Sequence, residues 1–143
     1  MQPLDLSKQP PRSPNVKVGG LMMLARTIDK MRAGLPGGNM GSYRIPGFST
    51  RLLEGIGIDA DELAAEVARA DSEDEVVAWV RARADTSKFD EVNRRLAARS
   101  IKDIEPDRLE YFRSNYPHHA EVASGLIADI IEHDDTKMFE RAR

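Results

Sequence analysis

The sequence contains no cysteine, few aromatic residues and no long apolar run. Without cysteine, disulfide frameworks and thiolate metal or redox sites are excluded. The longest apolar runs, such as residues 21–25, are far shorter than the ~20 residues that span a bilayer. The start of the chain also lacks the basic and apolar regions of a signal peptide. We therefore expect a cytoplasmic protein with no membrane partner.

Charge is unevenly distributed along the 143 residues. Residues 1–51 carry eight basic and two acidic side chains, a net of +6, whereas residues 52–143 carry thirteen basic and 22 acidic ones, a net of −9. This asymmetry predicts either an anionic ligand on the N-terminal third or attraction between oppositely charged parts of the chain or of two subunits. A homodimer is accordingly expected, with the N-terminal arm lying across the neighbour.

Proline and glycine are concentrated at the start of the chain. Residues 1–20 contain four prolines, which fix φ and remove backbone donors, so this segment is predicted to be an extended arm. Residues 35–47 read LPGGNMGSYRIPG, a composition typical of a loop. We call residues 35–47 the glycine loop, and it is long enough to form part of a site.

Helical spacing dominates residues 21–143, the predicted helical body. The spacing of Leu21, Leu24, Ile28 and Met31 predicts a first helix that ends before Gly34. Further helix starts are predicted at the N-caps Ser49, Asp59 and Ser72, at Pro106 in a first turn, and at Asp135 before a short final helix. The sequence therefore predicts an all-α single domain over residues 1–143, an irregular bundle of six or seven helices with an extended proline-rich arm.

The predicted core consists of apolar residues at helical spacing. Trp79 is assigned to it because Val76, Val77 and Val80 make the same helix strongly apolar. The predicted core residues are Leu24, Ile28, Leu63, Val67, Val76, Trp79, Val80, Leu96, Leu109, Phe112, Leu126 and Ile130.

Several short motifs in the chain form a recognisable set: Asp5-Leu6, Pro10-Pro11-Arg12-Ser13-Pro14, Gly19-Gly20, the Ile28-Asp29-Lys30 helix, and the later stretches GIDADELAAEVA and VVAWVRARA. Together they resemble the motifs of a bacterial family known as a domain of unknown function. Proteins similar to this one have a tyrosine-containing polar loop before the Gly-Ile-Asp helix start, and Tyr43 occupies that loop here. The resemblance implies a bacterial cytoplasmic protein and implies neither a reaction nor a cofactor.

The residue types that support catalysis or metal binding do not form a known pattern. His119 and His133 lie fourteen positions apart, which is about 21 Å on one continuous helix, so we expect no metal site. The chain has no Gly-x-Ser-x-Gly elbow and no Walker loop. It also has no motif that reads nucleic acid. We expect no cofactor and no nucleic-acid partner.

A candidate anion site is predicted on the basic N-terminal third. The Gly19-Gly20 pair precedes a helix whose free N–H groups favour an anion, and basic residues and the glycine loop would complete the walls. The candidate residues are Arg12, Ser13, Gly19, Gly20, Arg26, Lys30, Tyr43 and Arg44. In the alternative interpretation, Arg12 pairs with an acidic helix end such as Asp129 or Glu132 and attaches the arm to the body.

Two classes of function remain open. The first is a non-catalytic binding module that takes a small anionic ligand on its basic N-terminal third. The second is a small-molecule enzyme whose pocket is formed by the arm and the glycine loop. An enzyme needs an acid, base or nucleophile desolvated in a concave site. Burial of Asp29, His118 or His119 in a pocket that contains Arg12 would favour it.

Overall fold

The computed structural model describes residues 1–45 and 47–140, and this part of the chain contains seven α-helices and no β-strand. The helices are α1 (Leu24–Ala33), α2 (Phe48–Ile56), α3 (Ala60–Arg69), α4 (Glu73–Arg83), α5 (Phe89–Ala98), α6 (Pro106–Asn115) and α7 (Ile127–Glu140). Three short 3-10 turns, Thr86–Lys88, Ile101–Asp103 and His119–Glu121, lie between them. The predicted all-α bundle is confirmed.

Three helices start as predicted, two at a side-chain cap and one at a proline. The Asp59 carboxylate accepts the backbone N–H of Glu62 at 3.0 Å, and the Ser72 hydroxyl accepts that of Glu75 at 3.3 Å. Pro106 occupies the first turn of α6. These contacts satisfy N–H groups that have no partner within the helix, which is why such residues mark helix starts.

Three predicted helix starts are wrong. The first helix begins at Leu24 and not at Leu21, because Met23 before it adopts a left-handed φ of 67°. Helix α2 begins at Phe48, so Ser49 is not its N-cap; Ser49 is buried and its hydroxyl accepts that of Thr27 at 2.9 Å. The last helix runs without a break to Glu140. Asp135 therefore lies inside it and caps nothing.

The hydrophobic core surrounds α1, which packs against α2 and α3. Eight predicted core residues are buried: Leu24, Ile28, Leu63, Val67, Val76, Val80, Leu96 and Ile130. Four predicted core residues are only half-buried, namely Trp79, Leu109, Phe112 and Leu126. Helix α6 has no buried residue. Trp79 packs at the edge of the core with the guanidinium of Arg83 4.2 Å from its ring centroid.

The N-terminal segment lies against the body of its own chain. The terminal ammonium of Met1 donates to the carbonyls of Val67 and Ala70 at 2.9 and 2.5 Å. Leu6 is buried, and its N–H donates to the Asn39 carbonyl at 2.8 Å. Turns at residues 6–8, 14–15 and 19–20 interrupt the segment. The prediction of a continuously extended arm is not confirmed.

Two glycines allow the glycine loop to pack closely on its surroundings. A Cβ at Gly38 would lie 2.4 Å from the carbonyl oxygen of Ala33. At Gly41, φ is +57° and a Cβ would lie 2.8 Å from the carbonyl oxygen of Leu6. Both contacts are with backbone, which cannot move aside as a flexible side chain would. Any larger residue would displace the loop from α1 and the N-terminal segment.

Candidate functional site

Helix α1 buries polar side chains together with apolar ones. All of residues 21–30 are buried, and four of them are polar or charged: Arg26, Thr27, Asp29 and Lys30. A helix that is buried on all sides is normally hydrophobic on all sides. Since a buried polar group is more informative than an exposed one, these side chains indicate where a functional site lies.

A buried ion pair joins the first and last helices. Arg26 is only 2% exposed, and its Nη1 donates to Oδ2 of Asp135 on α7 at 2.6 Å. The hydroxyl of Tyr43, from the glycine loop, donates to the other oxygen of Asp135 at 2.7 Å. The Arg26 guanidinium also lies 5.5 Å from the Tyr43 ring centroid. Helix α1, helix α7 and the glycine loop therefore meet at one carboxylate.

Lys30 lies beside this pair and is 8% exposed. Its Nζ donates to the backbone carbonyl of Arg44 at 2.9 Å and lies 5.9 Å from the Tyr43 ring centroid. Burial and then the positive charge of Arg26 lower the pKa of Lys30 to about 8, although Asp135 acts in the opposite direction. Burial disfavours the charged form of an amine. A substantial share of Lys30 is therefore neutral near pH 8.

Asp134, next to Asp135 on α7, has an incomplete set of hydrogen bonds. It is 4% exposed, and within residues 1–45 and 47–140 its Oδ1 has no hydrogen-bond partner. Burial raises the pKa of Asp134, and the backbone N–H of His118 partly opposes that rise. A buried acceptor without a donor is costly. We call Arg26, Lys30, Tyr43, Asp134 and Asp135 the polar cluster.

Two phenols, Tyr43 in the polar cluster and Tyr116 beside it, stay neutral over the physiological range. Burial and then the hydrogen bond to Asp135 raise the pKa of Tyr43. Burial also raises the pKa of Tyr116, whose ring centroid lies 4.8 Å from that of Phe112. Both hydroxyls can therefore donate a hydrogen bond without adding negative charge.

Arg12 binds the N-terminal segment to two helices. Its backbone N–H and its Nε donate to Asp29 Oδ2 at 2.8 and 3.1 Å, and its Nη2 donates to Asp29 Oδ1 at 3.0 Å. The same guanidinium pairs with Glu73 at the start of α4, and this hydrogen bond raises the pKa of Arg12. The partners expected for Arg12, Asp129 or Glu132, are wrong. Its position otherwise agrees with the interpretation that it attaches the arm to the body.

Gly19 and Gly20 accept hydrogen bonds from other helices, and Ser13 accepts one within its own turn. The Gly19 carbonyl accepts from Arg81 at 2.7 Å, and the Gly20 carbonyl accepts from Asn93 at 2.8 Å. A Cβ at Gly19 would lie 2.8 Å from Val77 Cγ1, so this turn packs tightly on α4. The hydroxyl of Ser13 accepts the N–H of Asn15 within its own turn. Gly19 and Gly20 therefore contact α4 and α5, whereas Ser13 directly follows Arg12, whose carbonyl accepts from Arg26 Nη1 at 3.3 Å.

Arg44 takes part in the cluster only through its backbone. Its carbonyl accepts from Lys30, as described, while its side chain is exposed. The guanidinium donates to the hydroxyl of Tyr111 and to the Asn115 side chain, and it lies 5.5 Å from the Tyr111 ring centroid. The Arg44 side chain therefore ties the glycine loop to α6.

The histidines approach each other more closely than expected from a continuous helix. Because the chain turns back between the His119–Glu121 turn and α7, His118 and His133 have ring centroids 6.5 Å apart. Their ring nitrogens lie 3.4 and 2.7 Å from the same oxygen of Glu121. In the described residues no group of three or more His, Cys, Asp or Glu side chains could hold a metal ion. The continuous helix assumed between His119 and His133 is not present, because the His119–Glu121 turn ends before α7 begins at Ile127.

Two depressions open on the surface. A groove of about 750 Å³ lies between α2 and α5. A smaller depression of about 350 Å³ lies where the N-terminal segment meets α1 and α4, and it contains Arg12 and the buried Asp29. That burial meets one condition set above for an enzyme. Arg12 already donates to both oxygens of Asp29, however, so in this depression the carboxylate serves as the partner of a cation.

The sequence pointed to the α1 side of the cluster and missed the α7 side. Arg26, Lys30 and Tyr43 were candidates for an anion site, whereas Asp134 was not singled out and Asp135 was expected to be a cap. One signal was available: both acidic residues follow Ile127, Ile130 and Ile131 within a single helical pattern. Charged residues inside such a pattern, and not at its end, are candidates for buried pairs.

Fold and site together define a small all-α protein whose central helix carries buried charges. The family model described as Domain of unknown function (DUF5069) matches residues 8–137, so the chain belongs to that family. The expected membership of a family of unknown function is thereby confirmed. No curated protein matches the chain. No helix in the described part of the chain is both long and apolar enough to traverse a lipid bilayer.

Proposed function

We propose that this protein is a non-catalytic binding module for a small anionic ligand, which enters the polar cluster when the glycine loop moves aside. The observation that carries the proposal is the position of Lys30. Its buried amine has one protein acceptor within residues 1–45 and 47–140, and that acceptor is a backbone carbonyl of the loop itself. An ammonium has three donors, so two remain for a ligand.

The charges of the cluster favour an anion. Arg26 and Lys30 are both cationic when protonated, and Asp135 pairs directly with Arg26. The neighbouring Asp134 is less readily ionised than an exposed aspartate, because burial raises its pKa. An anionic group beside Lys30 would compensate the buried ammonium and raise its pKa again, and this change of pKa strengthens binding.

The glycine loop is suited to act as a movable cover. Gly37, Gly41 and Gly47 all have positive φ values, and glycine changes between backbone conformations more easily than other residues. The loop is held over the cluster by the Tyr43–Asp135 hydrogen bond and the Lys30–Arg44 hydrogen bond. A ligand that enters the cluster would replace or rearrange the groups that form these two hydrogen bonds, and the loop would then be released. Of the residues predicted for the anion site, this proposal keeps Arg26, Lys30, Tyr43 and Arg44.

A thermal-shift screen over phosphates, nucleotides and organic acids tests this function. A ligand that binds only the folded state raises the melting temperature. We expect an anion-induced rise in the wild-type protein that disappears in Lys30→Met and persists in Lys17→Met, a matched change at an exposed lysine. The affinity should fall as the pH rises above 8, because the amine loses its charge. Absence of any anion-induced rise in the wild-type protein contradicts the proposal.

One observation favours an enzyme as the second candidate. A lysine whose pKa is lowered by burial and by a neighbouring cation is a nucleophile towards carbonyl compounds, and Lys30 has both features. Its neutral amine would add to a carbonyl carbon and, with loss of water, form an imine. For an enzyme, the sequence predicts a pocket between the N-terminal arm and the glycine loop. The depression beside the arm is lined instead by the N-terminal segment, α1 and α4, and no described residue of the glycine loop lines it.

Borohydride trapping tests the second candidate. The protein is incubated with small aldehydes and 2-oxo acids, and hydride then reduces any C=N bond to a stable secondary amine. Peptide mass spectrometry should find the adduct on Lys30 ahead of the exposed Lys17. Equal labelling of the two lysines would contradict a catalytic role for Lys30.

A further inference from the structure

The groove between α2 and α5 has a mixed lining that resembles a ligand site. Its volume of about 750 Å³ falls within the range typical of small-molecule sites. Val92 and Leu96 on α5 form an apolar floor. The glycine at position 55 keeps the helices close, because a Cβ there would lie 3.2 Å from Val92. The groove is separate from the polar cluster and shares no residue with it.

Two arginines from different elements line this groove. Arg51 lies on α2, and Arg99 follows the last residue of α5. In the described part of the chain, neither guanidinium makes an ion pair within 4.0 Å or a side-chain hydrogen bond. Arg95 in the same groove differs from them, because it pairs with Glu91 at 2.7 Å.

The two free arginines are close enough to influence each other. Burial and then the charge of Arg51 lower the pKa of Arg99, while Asp103 and Glu105 oppose that effect. Asp103 also lines the groove, but one of its oxygens accepts the backbone N–H of Ser100 at 2.9 Å. Bringing like charges together without a counter-ion is unfavourable. An anion between the two guanidinium groups would relieve this repulsion.

We propose that this groove binds a small phosphorylated molecule, with the phosphate between Arg51 and Arg99 and the apolar part of the molecule on Val92 and Leu96. A phosphate has several acceptor oxygens, and guanidinium groups donate to it in pairs. Two guanidinium groups that approach from different elements match this geometry better than a single cation does. The groove is also lined by the acidic residues Glu54 and Glu91. Because they would repel further negative charge, the rest of the ligand should carry little of it.

Phenyl phosphate is a suitable probe because it joins a phosphate to an apolar ring. Binding is measured by calorimetric titration at low ionic strength, with inorganic phosphate and benzoate for comparison. We expect phenyl phosphate to bind more tightly than either, and Arg51→Ala and Arg99→Ala each to weaken it at least about tenfold, as loss of a charged hydrogen-bond partner does. Arg94→Ala is the matched control, because Arg94 is exposed on α5 and outside the groove.

The outcomes separate this groove from the polar cluster. Loss of binding in Arg51→Ala with binding retained in Lys30→Met supports the groove whether or not the cluster binds anions. Binding that is retained in Arg51→Ala and lost in Lys30→Met overturns the groove proposal. It is also overturned if the wild-type protein does not bind phenyl phosphate, or if Arg94→Ala weakens binding as much as Arg51→Ala. If Arg99→Ala fails to fold, Arg51→Ala decides alone, because Arg51 is an exposed residue.

Discussion

Arg26 and Asp135 are 109 positions apart in the sequence, and their side chains form a buried ion pair of 2.6 Å. The pair connects α1 to α7, and Tyr43 completes it from the glycine loop. Buried charges are costly to bring out of water, and they are tolerated when each has a partner of good geometry. The contact therefore couples the position of the last helix to that of the central one.

Breaking this pair should be strongly destabilising. Asp135→Asn keeps the size of the side chain and leaves Arg26 without its anion, so we expect the free energy of unfolding to fall by about 3–5 kcal/mol. Urea denaturation measures the change. Asp129→Asn on the same helix is the control, because Asp129 makes exposed hydrogen bonds to Asn15 and Ser124. Equal stability of the two variants would show that the pair contributes no more than a surface contact.

Removing the Arg12 side chain should loosen the N-terminal segment. Arg12→Ala leaves the buried carboxylate of Asp29 without its cation, and an unsatisfied buried group costs about 1–3 kcal/mol. Arg12 is itself 36% exposed, so we expect the lower half of this range. The melting temperature should fall equally with and without anions. Lys8→Ala, an 83% exposed residue 4.0 Å from Asp5, should change little, and a similar loss in both variants would argue against a specific role for Arg12.

Stability should depend on pH through Lys30. Its pKa is about 8 in the folded protein against an ordinary value of 10.5, so between these values the unfolded chain binds more protons. Stability then rises with pH over this range, and below pH 8 the penalty for burying the charged amine is constant. From pH 8 to 10 the rise should be about 2 kcal/mol. Lys30→Met should remove it in urea denaturation series, and a parallel pH profile of the two proteins would contradict the lowered pKa.

Trp79 should matter less to stability than its size suggests. A buried aromatic residue costs about 3–5 kcal/mol when truncated to alanine, but Trp79 is half-buried at the edge of the core. We expect Trp79→Ala to lower the free energy of unfolding by about 1–2 kcal/mol. Leu63→Ala, at a position with no exposed surface, should cost about 2–5 kcal/mol. A larger loss for Trp79→Ala than for Leu63→Ala would restore the core assignment.

Homodimer formation stays a prediction of the charge distribution. The N-terminal segment lies on its own chain, which removes the reason to expect an exchanged arm. The opposite net charges of residues 1–51 and 52–143 remain, and we expect them to promote association that weakens with added salt. Sedimentation equilibrium at about 50 μM and low ionic strength tests this. A monomer under those conditions would contradict it.

The sequence by itself determined the helical class and several helix starts. The caps at Asp59 and Ser72 each accept an N–H group three residues away, and the proline at position 106 suits a first turn because it has no N–H to satisfy. The apolar spacing of Leu63 and Val67 places both on one buried face. Such features depend on interactions between neighbours in the chain, which is why they can be predicted from the sequence without knowledge of the fold.

The tertiary structure decided which charges are buried and what they contact. Asp135 has the sequence context of a helix cap, and it became the partner of Arg26 because α7 continues past it and packs near α1. Arg12 pairs with Asp29 and Glu73, which are distant from it in the sequence. The burial of Lys30 depends on where the glycine loop lies. Each of these contacts joins distant segments, and its energy is set by exclusion of water in the folded protein, which local spacing does not encode.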